Sequence, residues 1–172
     1  PARSTPKQAE PQSLRSFIAE AYPRYGFHRW AEVLIDLLQQ VADGQLSRLI
    51  VTCPPRLGKS LLVSKLFPAY FLQRYPHLFA AIASYSAELA YAHSREARHF
   101  YRVTGHLLAR DSAAVGNWLT RQRGGCIAAG VDGPFTGKGY SLGIIDDPYK
   151  GPGDAASPAL RQKLIDWLRS VW

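Results

Sequence analysis

Between His28 and Gly44 apolar residues recur at helical spacing. Trp30, Val33, Leu34, Leu37, Leu38 and Val41 share one face, and Gly44 stands where a C-terminal cap belongs. A shorter helix is predicted over 13–22, ended by the breaker "YPRYGF". The rhythm then changes. "RLIVTC" (48–53) is a β-branched run that predicts a strand, and "SLLVSKLFPAYFLQRY" is apolar nearly all round, which predicts a helix buried against a sheet, with a kink at Pro68. "LFAAIASYS" (78–86) predicts a second buried strand, followed by a helix over 87–103 and an irregular stretch from Gly105 to Asn117. "GGCIAAGV" and "YSLGIID" predict two more strands, separated by the Gly-rich turn "DGPFTGKG". After the loop "DPYKGPGDAA", Ser157 and Pro158 form an N-cap and first-turn pair for a helix running to Trp172. Continuous apolar strands interleaved with helices predict an α/β domain whose mainly parallel sheet is covered by helices on both faces.

Length and composition fit that picture. A chain of 172 residues, 47% apolar and 20% charged, is expected to hold one core spanning 13–172, with 1–12 as a flexible tail. The net charge of +8 is uneven. Residues 1–47 carry five basic and five acidic side chains, whereas 48–172 carry sixteen and eight. A basic domain of this kind suits a polyanionic partner such as nucleic acid. Cys53 and Cys126 have neither zinc-ligand spacing nor the density of a disulfide scaffold, and His77, His93, His99 and His106 form no ligand pattern. The start of the chain does not resemble a signal peptide and no run of 18 apolar residues occurs, so a cytoplasmic protein without a membrane partner is expected.

The candidate chemistry lies in "CPPRLGKS", positions 53–60. A phosphate-binding loop works because a strand stops, backbone N–H groups curl inward, and a helix begins with the positive end of its dipole facing the anion. The contacting set is then Pro54, Pro55, Arg56, Leu57, Gly58, Lys59, Ser60 and Leu61. Lys59 reaches the β and γ phosphates and Ser60 binds Mg²⁺. Cys53 replaces the first glycine of the GxxxxGK[ST] pattern, and the fixed φ of Pro54 and Pro55 is expected to set the curl in its place. Downstream, "SLGIIDD" puts acids at the carboxyl end of a buried strand, where open α/β sheets collect ligands. Asp146 is the expected metal ligand and Asp147 the group that orients or deprotonates the attacking water. A nucleotide and Mg²⁺ are the expected cofactors.

"RLIVTCPPRLGKS", "ASYSAELAYAHSREAR" and "GPFTGKGYSLGIIDDPYKGPGDAASPALRQKLIDW", taken together, resemble the ATPase part of the large terminase subunit of tailed bacteriophages. The resemblance runs from about residue 25 to the end. It implies a P-loop NTPase fold and Mg²⁺-dependent ATP hydrolysis that drives double-stranded DNA into a preformed capsid in the host cytoplasm. The implied partners are a portal protein, a small terminase subunit and further copies of the chain in a ring. A nuclease domain and a further core strand with a coupling motif belong to that family, and neither is expected within these residues. The expectation is therefore a monomeric fragment, incomplete at the C-terminal edge of its sheet and weak in hydrolysis.

The resemblance also implies roles. Lys59 and Asp147 are catalytic, with Asp147 where many relatives carry Glu, and Arg56 is a phosphate contact or switch. Lys138 is the candidate for a basic residue lent to a neighbouring subunit, with Arg121 and Arg123 behind it. His28, in "YGFH", stands where the family contacts adenine, helix-entry packing being the alternative. Arg95, Arg98 and Arg102 lie on one side of a helix, opposite Leu89, Ala92, Phe100 and Val103, as a phosphate-tracking stripe or a solvated face. A helicase-like ATPase, or a nucleotide-binding module without turnover, remain the rival readings.

Overall fold

The computed structural model describes residues 12–110, 112, 114–133, 135 and 139–171. The expected tail, Gln12 apart, lies outside the described residues, as does Lys138. The chain is α/β, with a four-stranded mixed sheet flanked by helices. Helices α1 (Leu14–Ala21) and α2 (Arg29–Ala42) come first. The Ser13 hydroxyl caps α1 by accepting from Ser16 N–H at 3.2 Å. Gly44, at φ +73°, ends the α2 region as its sequence position suggested. The buried face of α2 is Ala31, Leu34, Ile35, Leu38 and Ala42, so the apolar stripe is rotated from the predicted one and Val33 is exposed.

The sheet has the order β2-β3-β1-β4, from Phe79–Ser84 (β1), Asn117–Leu119 (β2), Gly125–Gly130 (β3) and Leu142–Ile145 (β4). β1 runs parallel to both neighbours, with Ala80 opposite Cys126 and Leu142. β2 is an antiparallel edge strand that begins at the last residue of the stretch predicted to be irregular and was not predicted. Side chains alternate cleanly across the two faces. Ala80, Ile82, Cys126, Ala128, Leu142 and Ile144 join the main core with α1, α2 and their neighbours, whereas Ala81, Ala83, Ile127 and Ala129 meet Leu164 and Trp167 on the other face. The latter two belong to α6 (Pro158–Val171), which is preceded by an unpredicted short helix α5 (Pro152–Ala156).

One predicted strand is not a strand. Residues 48–53 are not hydrogen-bonded into the sheet, whose edge on that side is β4. A groove of about 680 Å³, lined by Leu46–Val51 on one side and Ser141–Asp146 on the other, keeps the two backbones apart, and Ile50 is 90% exposed. The β-branched composition of the run is extended-chain propensity, and propensity alone does not supply a partner.

After the loop the chain enters a π-helical segment, Leu61–Leu66, which passes directly into α3 (Phe67–Arg74). Pro68 lacks an N–H and its ring crowds the carbonyl four residues back, which is Ser64. The wider turn ahead of it, with Phe67 N–H donating to Leu62 C=O, accommodates both. The last long helix of the core, α4 (Ala87–Val103), buries Ala90, His93, Ser94, Ala97, Phe100 and Tyr101. Its expected apolar face is thus turned, and Val103 is exposed. No helix among the described residues is long and apolar enough to cross a membrane.

Candidate functional site

The parallel register puts the carboxyl ends of β1 and β4 side by side, with Ala83 opposite Ile145. Asp146 therefore emerges at the strand end, its N–H donating to Ala83 C=O at 2.9 Å. The loop that precedes the π-helical segment faces the same end. Cys53 to Leu61 and Asp147 line a pocket of about 410 Å³. Lys59 closes it, its Nζ 2.7 Å from Asp147 Oδ1 and 3.0 Å from Asp146 Oδ1. Sequence positions almost ninety residues apart thus meet in one cluster.

Its electrostatics follow from burial and partners. Asp146 is 3% exposed, and burial by itself disfavours its charge. Hydrogen bonds from Ser60, Ser64 and Lys59 outweigh that cost and hold the carboxyl below the usual range. Burial likewise works against the Lys59 ammonium, but its bonds to Asp147 and Asp146 hold it above the ordinary value. Asp147 differs from its neighbour: its side chain is largely exposed. Its backbone lies in the left-handed region at φ +47°, with its C=O accepting from Tyr85 N–H at 3.1 Å. That turn of the backbone sends the second acid back over the loop instead of onward along the strand.

Within the loop, Gly58 has φ +86° and an added Cβ would meet nothing within 4 Å, so glycine is required there by backbone conformation and not by space. Arg56 adopts φ +66° as well. Pro54, Pro55, Arg56 and Leu57 are exposed, while Gly58, Lys59, Ser60 and Leu61 are half-buried. This gives the first residues of the pocket no packing and its last residues a firm seat on the helix.

Other predicted residues lie elsewhere. His28 is exposed at the N-cap of α2 and is not among the residues lining the loop pocket. Around it, Tyr25 and Phe27 pack edge to face at 5.1 Å and the Arg15 guanidinium covers Phe27 at 4.4 Å, a helix-entry cluster. Arg121 and Arg123 precede β3, at the opposite end of the parallel strands from Asp146. On α4, Arg95 and Arg102 are exposed and Arg98 is half-buried.

Two residues that the sequence pattern left unmarked belong to the cluster. Ser64 is fully buried and its Oγ donates to Asp146 Oδ2 at 2.7 Å. His93, 5% exposed, brings Nε2 to 3.3 Å from the same oxygen, and burial pushes the ring's pKa below its ordinary value against the pull of Asp146. The available signal was polarity in the wrong place: a serine on the buried side of a largely apolar helix, and a histidine in register with Ala90 and Ala97 on the buried side of α4.

The donor set bears on a metal. Among the described residues there is no group of three or more His, Cys, Asp or Glu side chains able to hold an ion. A buried carboxylate beside a hydroxyl, both oxygen donors, instead fits Mg²⁺, which keeps several waters and is commonly held by one or two protein oxygens plus phosphates. No protein-family model matches the chain, and no curated protein matches it.

Proposed function

We propose that the chain is a P-loop ATPase domain of the kind found in terminase large subunits, hydrolysing ATP with Mg²⁺ to drive double-stranded DNA translocation. The observation that carries this reading is the position of the Lys59 ammonium, shared by Asp146 and Asp147 at the mouth of the loop pocket. A triphosphate entering that pocket meets loop amides and a helix start, both suited to anions. Lys59 neutralises the terminal phosphate by exchanging a carboxylate partner for a phosphate one, and Arg56 adds a second cation from the loop. Ser60 and Asp146 would hold Mg²⁺, which would supply positive charge to neutralise the phosphates. Asp147, released from Lys59, orients the attacking water and accepts its proton.

The motor assignment rests on the motifs quoted above and on the basic balance of residues 48–172. Portal protein, small terminase subunit and a ring of identical subunits are the partners it implies, with Lys138, Arg121 or Arg123 offered across a subunit boundary. The test is paired binding of ATP·Mg²⁺ and of duplex DNA. Expected are saturable ATP binding and DNA binding without sequence preference that weakens steeply with salt. Absence of any ATP binding overturns the ATPase reading. Salt-insensitive or absent DNA binding overturns the motor reading and leaves a nucleotide-binding module.

A further inference from the structure

Asp146 has a second layer of contacts that nucleotide chemistry by itself does not require. Its two oxygens face different surroundings. Oδ1 points at Lys59 Nζ, 3.0 Å away, on the loop side. Oδ2 points inward, accepting from Ser64 Oγ at 2.7 Å and lying 3.3 Å from His93 Nε2. Both inner groups are buried and sit on different elements, the π-helical segment and α4. An ionised carboxylate only accepts, so Ser64 Oγ–H is its inner hydrogen-bond donor and the His93 ring is an adjoining contact at 3.3 Å. His93 Nδ1 is buried with no hydrogen-bond partner.

The terminal torsion of an aspartate is broad and nearly two-fold, so a carboxylate without such contacts would exchange its oxygens freely. The Ser64 donor on Oδ2, with the buried His93 ring set against the same oxygen, restricts that freedom and leaves Oδ1 turned toward the loop. Groups that orient a ligand in this way are worth roughly 10–100-fold in metal affinity where they have been altered. We infer that Ser64 and His93 are positioning residues, clamping Oδ2 of Asp146 so that the carboxylate presents a fixed oxygen to the nucleotide-bound metal. This rests on the ATPase reading above and adds to it two residues that touch neither nucleotide nor metal.

The test measures metal affinity directly. Mn²⁺ is titrated into the full chain with saturating ATP and followed by electron paramagnetic resonance, and ATP affinity is measured separately in EDTA. Ser64→Ala and His93→Leu are each expected to weaken Mn²⁺ binding about tenfold or more. Metal-free ATP affinity, set by Lys59 and the loop, stays within about twofold. His93→Gln, which keeps a polar side chain beside Oδ2, is expected to recover most of the loss, which a purely space-filling role for the ring would not produce. Should His93→Leu fail to fold, Ser64→Ala and His93→Gln decide the matter. Folded Ser64→Ala protein that binds ATP and retains wild-type Mn²⁺ affinity overturns the clamp alone. Wild-type protein that binds no ATP with or without metal overturns the ATPase reading and the clamp with it.

Discussion

On the strand side of the pocket Asp146 is 3% exposed and bonded to groups from two other elements, whereas on the loop side Pro54, Pro55, Arg56 and Leu57 stand in solvent. The first half is built into the core: its carboxylate is already paired with Ser60, Ser64 and Lys59. The second half is shaped by backbone conformation, with Arg56 and Gly58 at positive φ and little packing to hold them. The contrast teaches where preorganisation resides. Charge placement at the strand end is fixed by folding, while the loop has its curvature set and its ligand-facing groups left open. Chemically matched residues fall on either side of this divide, and each pair probes it.

The acids should differ most. Asp146→Ala leaves the buried Ser64 hydroxyl without its acceptor and removes one of Lys59's two carboxylate partners, so a loss of about 3 kcal/mol or more in urea unfolding is expected. Asp147→Ala, at an exposed position, should change stability by less than about 1 kcal/mol. On the proposed mechanism it should still reduce ATP turnover strongly. Equal destabilisation by the two would erase the distinction between core-built and open halves.

The thiols come next. Cys126 is fully buried in β3 and burial raises its pKa to about 12, whereas Cys53 lines the loop pocket. At pH 8 the Cys126 thiolate fraction is about a thousandfold below that of an ordinary thiol, so a disulfide reagent should titrate Cys53 alone in native protein. ATP should protect it. The same shift has a pH consequence. The folded state keeps this thiol neutral, so its stabilising contribution is complete below the unfolded value near 9 and is lost as pH rises toward about 12. Tyr101, also raised to about 12 by burial, adds to that alkaline loss from an unfolded value near 10. Melting temperatures should fall across that window, and Cys126→Ala should flatten the fall.

The glycines give the smallest effects. An added Cβ at Gly125 would lie 2.1 Å from the Trp118 carbonyl oxygen, so Gly125→Ala should cost about 2 kcal/mol or more by forcing the β2–β3 pairing apart. Gly58→Ala meets no neighbour and should cost only the left-handed backbone penalty, about 1–2 kcal/mol. Denaturant midpoints separate the two.

Much of this organisation was legible in the sequence. β1 and β3 stood out as continuous apolar runs because both of their faces are covered, β4 as an apolar run buried mainly through Leu142 and Ile144, and the helix after the loop because it is buried nearly all round. The loop and the IIDD strand end were recognisable from local residue type. What escaped depends on long-range pairing. Residues 48–53 have the composition of a strand without a partner in the sheet, and Asn117–Leu119 is a strand only because β3 offers an edge. His93 and Ser64 join Asp146 across 53 and 82 positions by chain folding alone, which no spacing rule encodes. His28, chosen by resemblance, is exposed at the N-cap of α2, next in sequence to Phe27 of an aromatic and arginine cluster.

The most direct test of the central claim, that a triphosphate binds between the loop and the end of β4, is calorimetric titration of ATP·Mg²⁺ into wild-type and Lys59→Ala protein. The account predicts binding by the wild type, weakened at least about tenfold in a variant that still melts cooperatively, since a charge-assisted contact to phosphate is worth about 1.5–3 kcal/mol. Equal affinities in the two proteins, or no heat of binding in the wild type, would contradict it.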